Sequence, residues 1–150
     1  MKNSEKGYTL VELLAVIVIL GILAMISILA IGRIINHSKH QAFVANAYTL
    51  RSSAQFYVKD AVVNQIPVYK VTYKQMVDDN LIEEIVDPFT KNVLESDINP
   101  SYVLIKEGTI VSVCLKGETK NLCSKVEEGN VIETPIAYSV ISEEKIVDND

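Results

Sequence analysis

The chain has 150 residues, the length of one domain, is 49% hydrophobic with a mean hydropathy of +0.22, and carries a net charge of −5. Residues 33–150 hold 12 Lys and Arg against 17 Asp and Glu, so the acidic balance lies in the C-terminal part. Such a surface argues against direct nucleic-acid or anionic-lipid binding, both of which need positive charge, and suits a solvated extracellular domain.

The first seven residues, MKNSEKG, are short and charged. From Leu13 to Gly32 twenty residues pass without a charge, and Glu12 stands at their edge between Val11 and Leu13. At 1.5 Å per residue a twenty-residue helix is about 30 Å long, the thickness of a bilayer's hydrocarbon core. A cleaved secretory signal has an apolar core of roughly 7–15 residues and a small-residue cleavage site. This run is longer and continues into Arg33-Ile34-Ile35 without such a site. Its length also argues against a buried core helix. A plain signal anchor fits the length but gives Glu12 and Gly7 no purpose. A carboxylate carried into a membrane costs roughly 2.5–3.5 kcal/mol and needs a partner. Lys2 and Lys6 precede the run, and Arg33 and Lys39 follow it, so flanking charge orients it weakly. The 118 residues from Arg33 onward are long enough to be translocated regardless of charge, which places them outside.

Gly7-Tyr8-Thr9-Leu10-Val11-Glu12-Leu13 with the apolar run behind it resembles the class III signal of type IV pilins and pseudopilins. The resemblance is sharp over residues 6–32 and architectural beyond. It implies a leader, residues 1–7, removed by a prepilin peptidase between Gly7 and Tyr8. It implies N-methylation of Tyr8. It implies that Glu12 pairs with the new α-amine of a neighbouring subunit in a filament, or with that of its own chain one helical turn away. Burying either charge alone is expensive; pairing offsets much of that cost and sets axial register. Tyr8 stands where Phe is commonest in the family, and Leu29 where many members have proline. Gly21 occupies a usual pilin position and weakens a helix by about 1 kcal/mol.

No Pro or Gly interrupts Arg33 to Asn64. Phe43, Ala47, Leu50, Ala54, Tyr57 and Ala61 recur at steps of three and four, a helical stripe, while Lys39, Gln41, Asn46, Arg51, Ser52, Gln55 and Lys59 occupy the other side. Joined to the apolar run this predicts one helix of about 54 residues, roughly 80 Å long. Residues 8–32 form its membrane and filament-core half, 33–62 its amphipathic half, and 63–150 a head. Pro67 breaks the helical pattern. Thr72-x-x-Gln75 reads as a capping box opening a short helix that ends near Asn80. Asp87-Pro88 marks a loop. Tyr102–Lys106, the turn Glu107-Gly108 and Thr109–Lys116 read as a hairpin. After a further turn, 116–121, comes Cys123. Ile136–Ile141 reads as a third strand, followed by a frayed acidic tail to Asp150. The expected fold is α+β, a long helix packed on a small antiparallel sheet, and its order also resembles the heads of small pilins.

Cys114 and Cys123 are the only cysteines, with eight residues between them and no partner at zinc-site spacing. In an exported domain they read as one disulfide. Two reduced, buried thiols are the other reading. His37 and His40 share a helix face without further ligands, which reads as solvated helix surface. Asp87, Glu95, Asp97 and Asn99 are oxygen-rich around a loop. Some pseudopilin heads bind calcium in a comparable loop, but the spacing here is irregular and no metal site is assigned. The adjacent acids Glu83-Glu84, Glu127-Glu128 and Glu143-Glu144 read as solvated charge. No nucleophile motif, phosphate loop or zinc signature is present, and no catalytic or cofactor-binding residue is expected.

Two readings of function result. In the first the chain is a structural subunit of a type IV pilus or pseudopilus. It enters the cytoplasmic membrane as a single-pass prepilin and is processed by peptidase and methyltransferase. A membrane platform and an assembly ATPase then add it to a homo-oligomeric filament at the cell surface or across the envelope. Adhesion, motility, DNA uptake and secretion all use subunits of this design. In the alternative it is a membrane-anchored extracellular binding module that never polymerises. Gly7 and Glu12 separate the two, since a mere tether needs neither.

Overall fold

The computed structural model describes residues 9–127 and 130–149. The chain divides into two units, residues 1–38 and 39–150. Helix α1 (Leu10–Val63) has 54 residues, forms the first unit and opens the second.

In the first unit the described apolar side chains of α1 are exposed on every side. Leu13, Leu20 and Ile28 are 62%, 58% and 69% exposed. This stretch is long and apolar enough to cross a membrane. Within the uncharged run from Leu13 to Gly32 the one hydroxyl, that of Ser27, donates to the Leu23 carbonyl at 2.8 Å.

In the second unit α1 is amphipathic. Phe43, Ala47, Leu50, Ala54, Val58 and Ala61 are buried. The expected stripe holds with one change: Val58 takes the buried position, and Tyr57 is only partly covered. A step of four from Ala54 keeps the stripe in phase with 3.6 residues per turn, and it places Tyr57 at the margin of the buried face.

Strand β1 (Lys70–Thr72) leads directly into helix α2 (Tyr73–Asp78). The capping box forms as read: Thr72 Oγ1 accepts the Gln75 amide at 3.2 Å, and Gln75 Oε1 accepts the Thr72 amide at 2.9 Å. The helix stops where Asn80 turns left-handed, at φ 54°. Tyr73 is buried, and its phenol oxygen accepts the Ile85 amide at 2.6 Å. Tyr73→Phe leaves that amide without an acceptor. The expected cost is about 1–3 kcal/mol, read as a lowered denaturant midpoint with an unchanged m-value.

Strands β2 (Tyr102–Lys106) and β3 (Thr109–Cys114) form the expected hairpin, although β3 ends two residues earlier than the sequence suggested. Glu107 and Gly108 both have positive φ, 53° and 73°, the geometry that matches a two-residue turn to strand twist. The register shifts after Leu104, so that Ile105 faces Ile110 while Leu104 faces Ser112. This bulge turns Val111 outward.

Beyond the hairpin the chain departs from expectation. Strands β4 (Lys120–Asn121), β5 (Ser124–Glu127), β6 (Asn130–Glu133), β7 (Ile136–Ala137) and β8 (Val147–Asp148) are all short. The main sheet is antiparallel in the order β1-β2-β3-β7, and β4-β8 and β5-β6 are separate pairs. The expected third strand, 136–141, is only β7. It gives way to a 3-10 turn, Tyr138–Val140. The cause is Tyr138, which is buried and donates its hydroxyl to the Ala47 carbonyl of α1 at 2.9 Å. Arg51 lies 5.0 Å from the centre of its ring. Burial pushes the phenol pKa well above its usual value. The acidic tail is not frayed over its described length. β8 pairs with β4, Lys120 ion-pairs with Asp148, and Asn149 Nδ2 donates to the Gly117 carbonyl at 2.9 Å. Asp150 lies outside the described residues, as does Glu128 of the Glu127-Glu128 pair. The whole is α+β and pilin-like: a long N-terminal helix, then a small antiparallel sheet.

Candidate functional site

Of the residues singled out at the N-terminus, Gly7 and Tyr8 lie outside the described residues, and Glu12 lies within them. Glu12 is the third residue of α1, and its carboxylate turns back on the helix start. Thr9 donates to Glu12 Oε2 through both its backbone amide and its hydroxyl, each at 2.8 Å. The Glu12 amide returns a bond to Thr9 Oγ1 at 3.3 Å. This is a capping box, with Thr9 as the cap and Glu12 three residues on. Glu12 therefore has a partner on its own chain. The box uses Oε2, and Oε1 has no partner among the described residues. Thr9 was not foreseen as a functional residue. Its signal was present in Thr9-x-x-Glu12, the pattern recognised at Thr72-x-x-Gln75.

The head's oxygen-rich residues do not converge. Asp87 is fully buried, and both of its carboxylate oxygens are taken by backbone amides, Oδ1 by Phe89 at 2.7 Å and Oδ2 by Glu118 at 2.8 Å. Asp97 is exposed and accepts from Lys74 Nζ at 2.6 Å, a bond that holds its carboxyl below the usual range. Asn99 bonds the Lys116 carbonyl and the Ser101 amide. Glu95 is exposed. Among the described residues no three His, Cys, Asp or Glu side chains come together at metal-binding distance. His40 packs its ring edge-on against Phe89, with centroids 5.0 Å apart.

Cys114 and Cys123 are joined as a disulfide, and both are buried. It ties the end of β3 to the residue before β5. A loop this short contributes roughly 2–3 kcal/mol in the chain-entropy model. Gly117 lies inside this loop. A methyl group there would meet Asp87 Oδ2 at 2.5 Å, Phe43 at 2.9 Å and the Lys120 carbonyl at 3.0 Å. Neither this requirement for glycine nor the burial of Asp87 was read from the sequence.

Residues 2–31 match the family model described as the prokaryotic N-terminal methylation motif, the class III prepilin signal of type IV pilins. No curated protein and no solved structure matches the chain. The motif implies a type IV pilin- or pseudopilin-type precursor with an apolar N-terminal helix, a structural class of protein and not an enzymatic one. It is consistent with a membrane-anchored precursor.

Proposed function

We propose that this chain is the precursor of a structural subunit of a type IV pilus or pseudopilus. A prepilin peptidase removes residues 1–7 by cutting between Gly7 and Tyr8, and Tyr8 is then N-methylated. Residues 8–32 hold the subunit in the cytoplasmic membrane, with the acidic head, residues 63–150, outside. A membrane platform and an assembly ATPase transfer the subunit to a homo-oligomeric filament, in which residues 8–32 pack among those of its neighbours and 33–62 carry the head. The observation that carries this reading is one continuous stretch. A methylation motif runs into twenty uncharged residues on a helix whose described apolar side chains are exposed. Lipid covers such a surface first, and copies of the same helix cover it afterwards.

The exchange replaces lipid contacts with protein contacts, so it gains packing and ion pairing and little fresh hydrophobic burial. That balance suits a process driven by ATP. Glu12 fits it as well. The capping box satisfies Oε2 while the subunit is alone, and cleavage places an α-amine four residues upstream of the same carboxylate. The test is the mass of the N-terminal peptide from membrane-extracted protein made with the host's own peptidase. The expected result is loss of MKNSEKG and one added methyl group on Tyr8. A chain that still begins at Met1 or Lys2 removes the amine partner of Glu12 and leaves the anchored, non-polymerising binding module.

A further inference from the structure

The end of the acidic tail is tied to one loop of the head. Cys114 and Cys123 close that loop, and residues 117–121 lie inside it. β8 pairs with β4, Lys120 opposite Asp148 and Asn121 opposite Val147. Lys120 also ion-pairs with Asp148 through its side chain. Asn149 donates twice, its amide to the Thr119 carbonyl and its Nδ2 to the Gly117 carbonyl, each at 2.9 Å. Among the described residues, the hydrogen bonds of 147–149 all end within 117–121. Ile146, just before them, packs against the core.

One buried side chain joins this strap to the disulfide. Asn121 is 1% exposed. Its Oδ1 accepts the Cys123 amide at 3.1 Å, and its Nδ2 donates to Asn149 Oδ1 at 2.6 Å. Both cysteines are buried, so a reducing thiolate reaches their sulfurs only when the loop opens. Opening the loop takes away the seat of the strap, and a seated strap resists the opening. Two events linked in this way bias each other equally.

We propose that residues 147–149 are a redox-gated strap. Closing the Cys114–Cys123 bond shapes the seat on which the strap docks, and the docked strap shields that bond from reduction. The closing step is thiol–disulfide exchange with a small disulfide such as oxidised glutathione. The two cysteine thiols give up two electrons and two protons as their S–S bond forms, and the small disulfide takes them up as its own S–S bond breaks to two thiols. While the cysteines are thiols, the end of the chain is open to proteases; once they are joined, it is fastened. The coupling stands on the geometry of the head. Its timing rests on the reading proposed above: disulfides persist outside the cytoplasm, so fastening follows export.

The test uses the full chain extracted in detergent, so it is read whether or not filaments form. Hydrogen exchange followed by mass spectrometry compares the unsubstituted, oxidised chain with one carrying Cys114→Ser and Cys123→Ser. Peptides covering 147–149 are expected to exchange at least about tenfold faster in the substituted chain, while those of α2 and β2 keep their rates. A tail that stays protected overturns the proposal. If the substitutions speed exchange throughout the head, the reverse arm decides. It measures the rate at which dithiothreitol reduces the disulfide in Asn149→Ala and in Thr72→Ala. Asn149→Ala removes two bonds between strap and loop. Thr72→Ala removes the cap of α2 and touches no residue of the loop. The expected result is reduction at least about tenfold faster in Asn149→Ala and at the unsubstituted rate in Thr72→Ala. An Asn149→Ala chain reduced no faster, or a Thr72→Ala chain accelerated as much, overturns the proposal.

Discussion

Glu12→Ala is expected to insert into the membrane and to be processed normally, yet to yield no filaments. Insertion is spared because removing a carboxylate from the edge of the apolar run lowers the cost of entering the bilayer, by up to roughly 2.5–3.5 kcal/mol at full depth. Assembly fails because the α-amine of a neighbour's Tyr8 then enters the bundle unpaired, and an uncompensated buried charge costs about 3–5 kcal/mol. Alanine also removes the capping box, so a second variant is needed. Glu12→Gln keeps an amide oxygen that can accept from Thr9, as Gln75 does from Thr72 at 2.9 Å, but carries no charge. If charge pairing is the function of Glu12, glutamine fails as alanine does. If glutamine assembles normally, the cap is the function and the pairing idea is lost. The measurement is filament yield by shearing and electron microscopy, beside membrane fractionation and N-terminal mass for each variant.

The box also changes how the glutamate is understood. From the sequence Glu12 looked like a charge waiting for a partner, since its flanks are Val11 and Leu13. The structure gives it one three residues away on the same chain. On the filament reading proposed above, assembly would not rescue a bare carboxylate; it would add an amine to one that already accepts two bonds from Thr9.

What was legible in the chain was legible for physical reasons. The 54 residues of α1 could be read because no Pro or Gly interrupts residues 33–64 and the apolar spacing has one period. The β2–β3 hairpin could be read because Glu107-Gly108 punctuates two apolar runs, and α2 because its cap is local. The short strands were opaque because two or three residues have no period to detect, and their partners lie far away: Lys120 pairs with Asp148, and Lys70 with Leu104. Tyr138 ended a predicted strand through a bond to Ala47, 91 residues earlier. The N-terminal signal is a linear motif, so the order of residues alone carries it. The clefts in the head depend on which apolar residues are left uncovered, and only the packed core decides that.

Asp87 is where local and distant chemistry meet, and the expected effect of removing it is large. Pro88 has no amide hydrogen and fixes its own φ, so the Asp87 carboxylate reaches past it to the Phe89 amide in a turn typical of aspartate. The other oxygen holds the Glu118 amide, 31 residues away, inside the loop closed by the disulfide. Phe89 packs against Phe43 of α1, with ring centroids 5.6 Å apart. One buried carboxylate therefore pins two loops of the head beside the helix. Hydrogen bonds to a charged group are worth about 1.5–3 kcal/mol each, so Asp87→Ala should destabilise the head by roughly 3 kcal/mol or more. Gly117→Ala should cost about 1–3 kcal/mol by forcing a methyl group against Asp87 Oδ2, Phe43 and the Lys120 carbonyl. The two substitutions share a contact, so their effects should not add. With Asp87→Ala in place the methyl group has lost its nearest obstacle, and Gly117→Ala should cost less than it does alone. The chain has no tryptophan, so the readout is tyrosine near-ultraviolet circular dichroism during guanidinium unfolding of the detergent-extracted protein. Full additivity would mean that the carboxylate and the glycine act separately, and the linked-loop account of the head would fail.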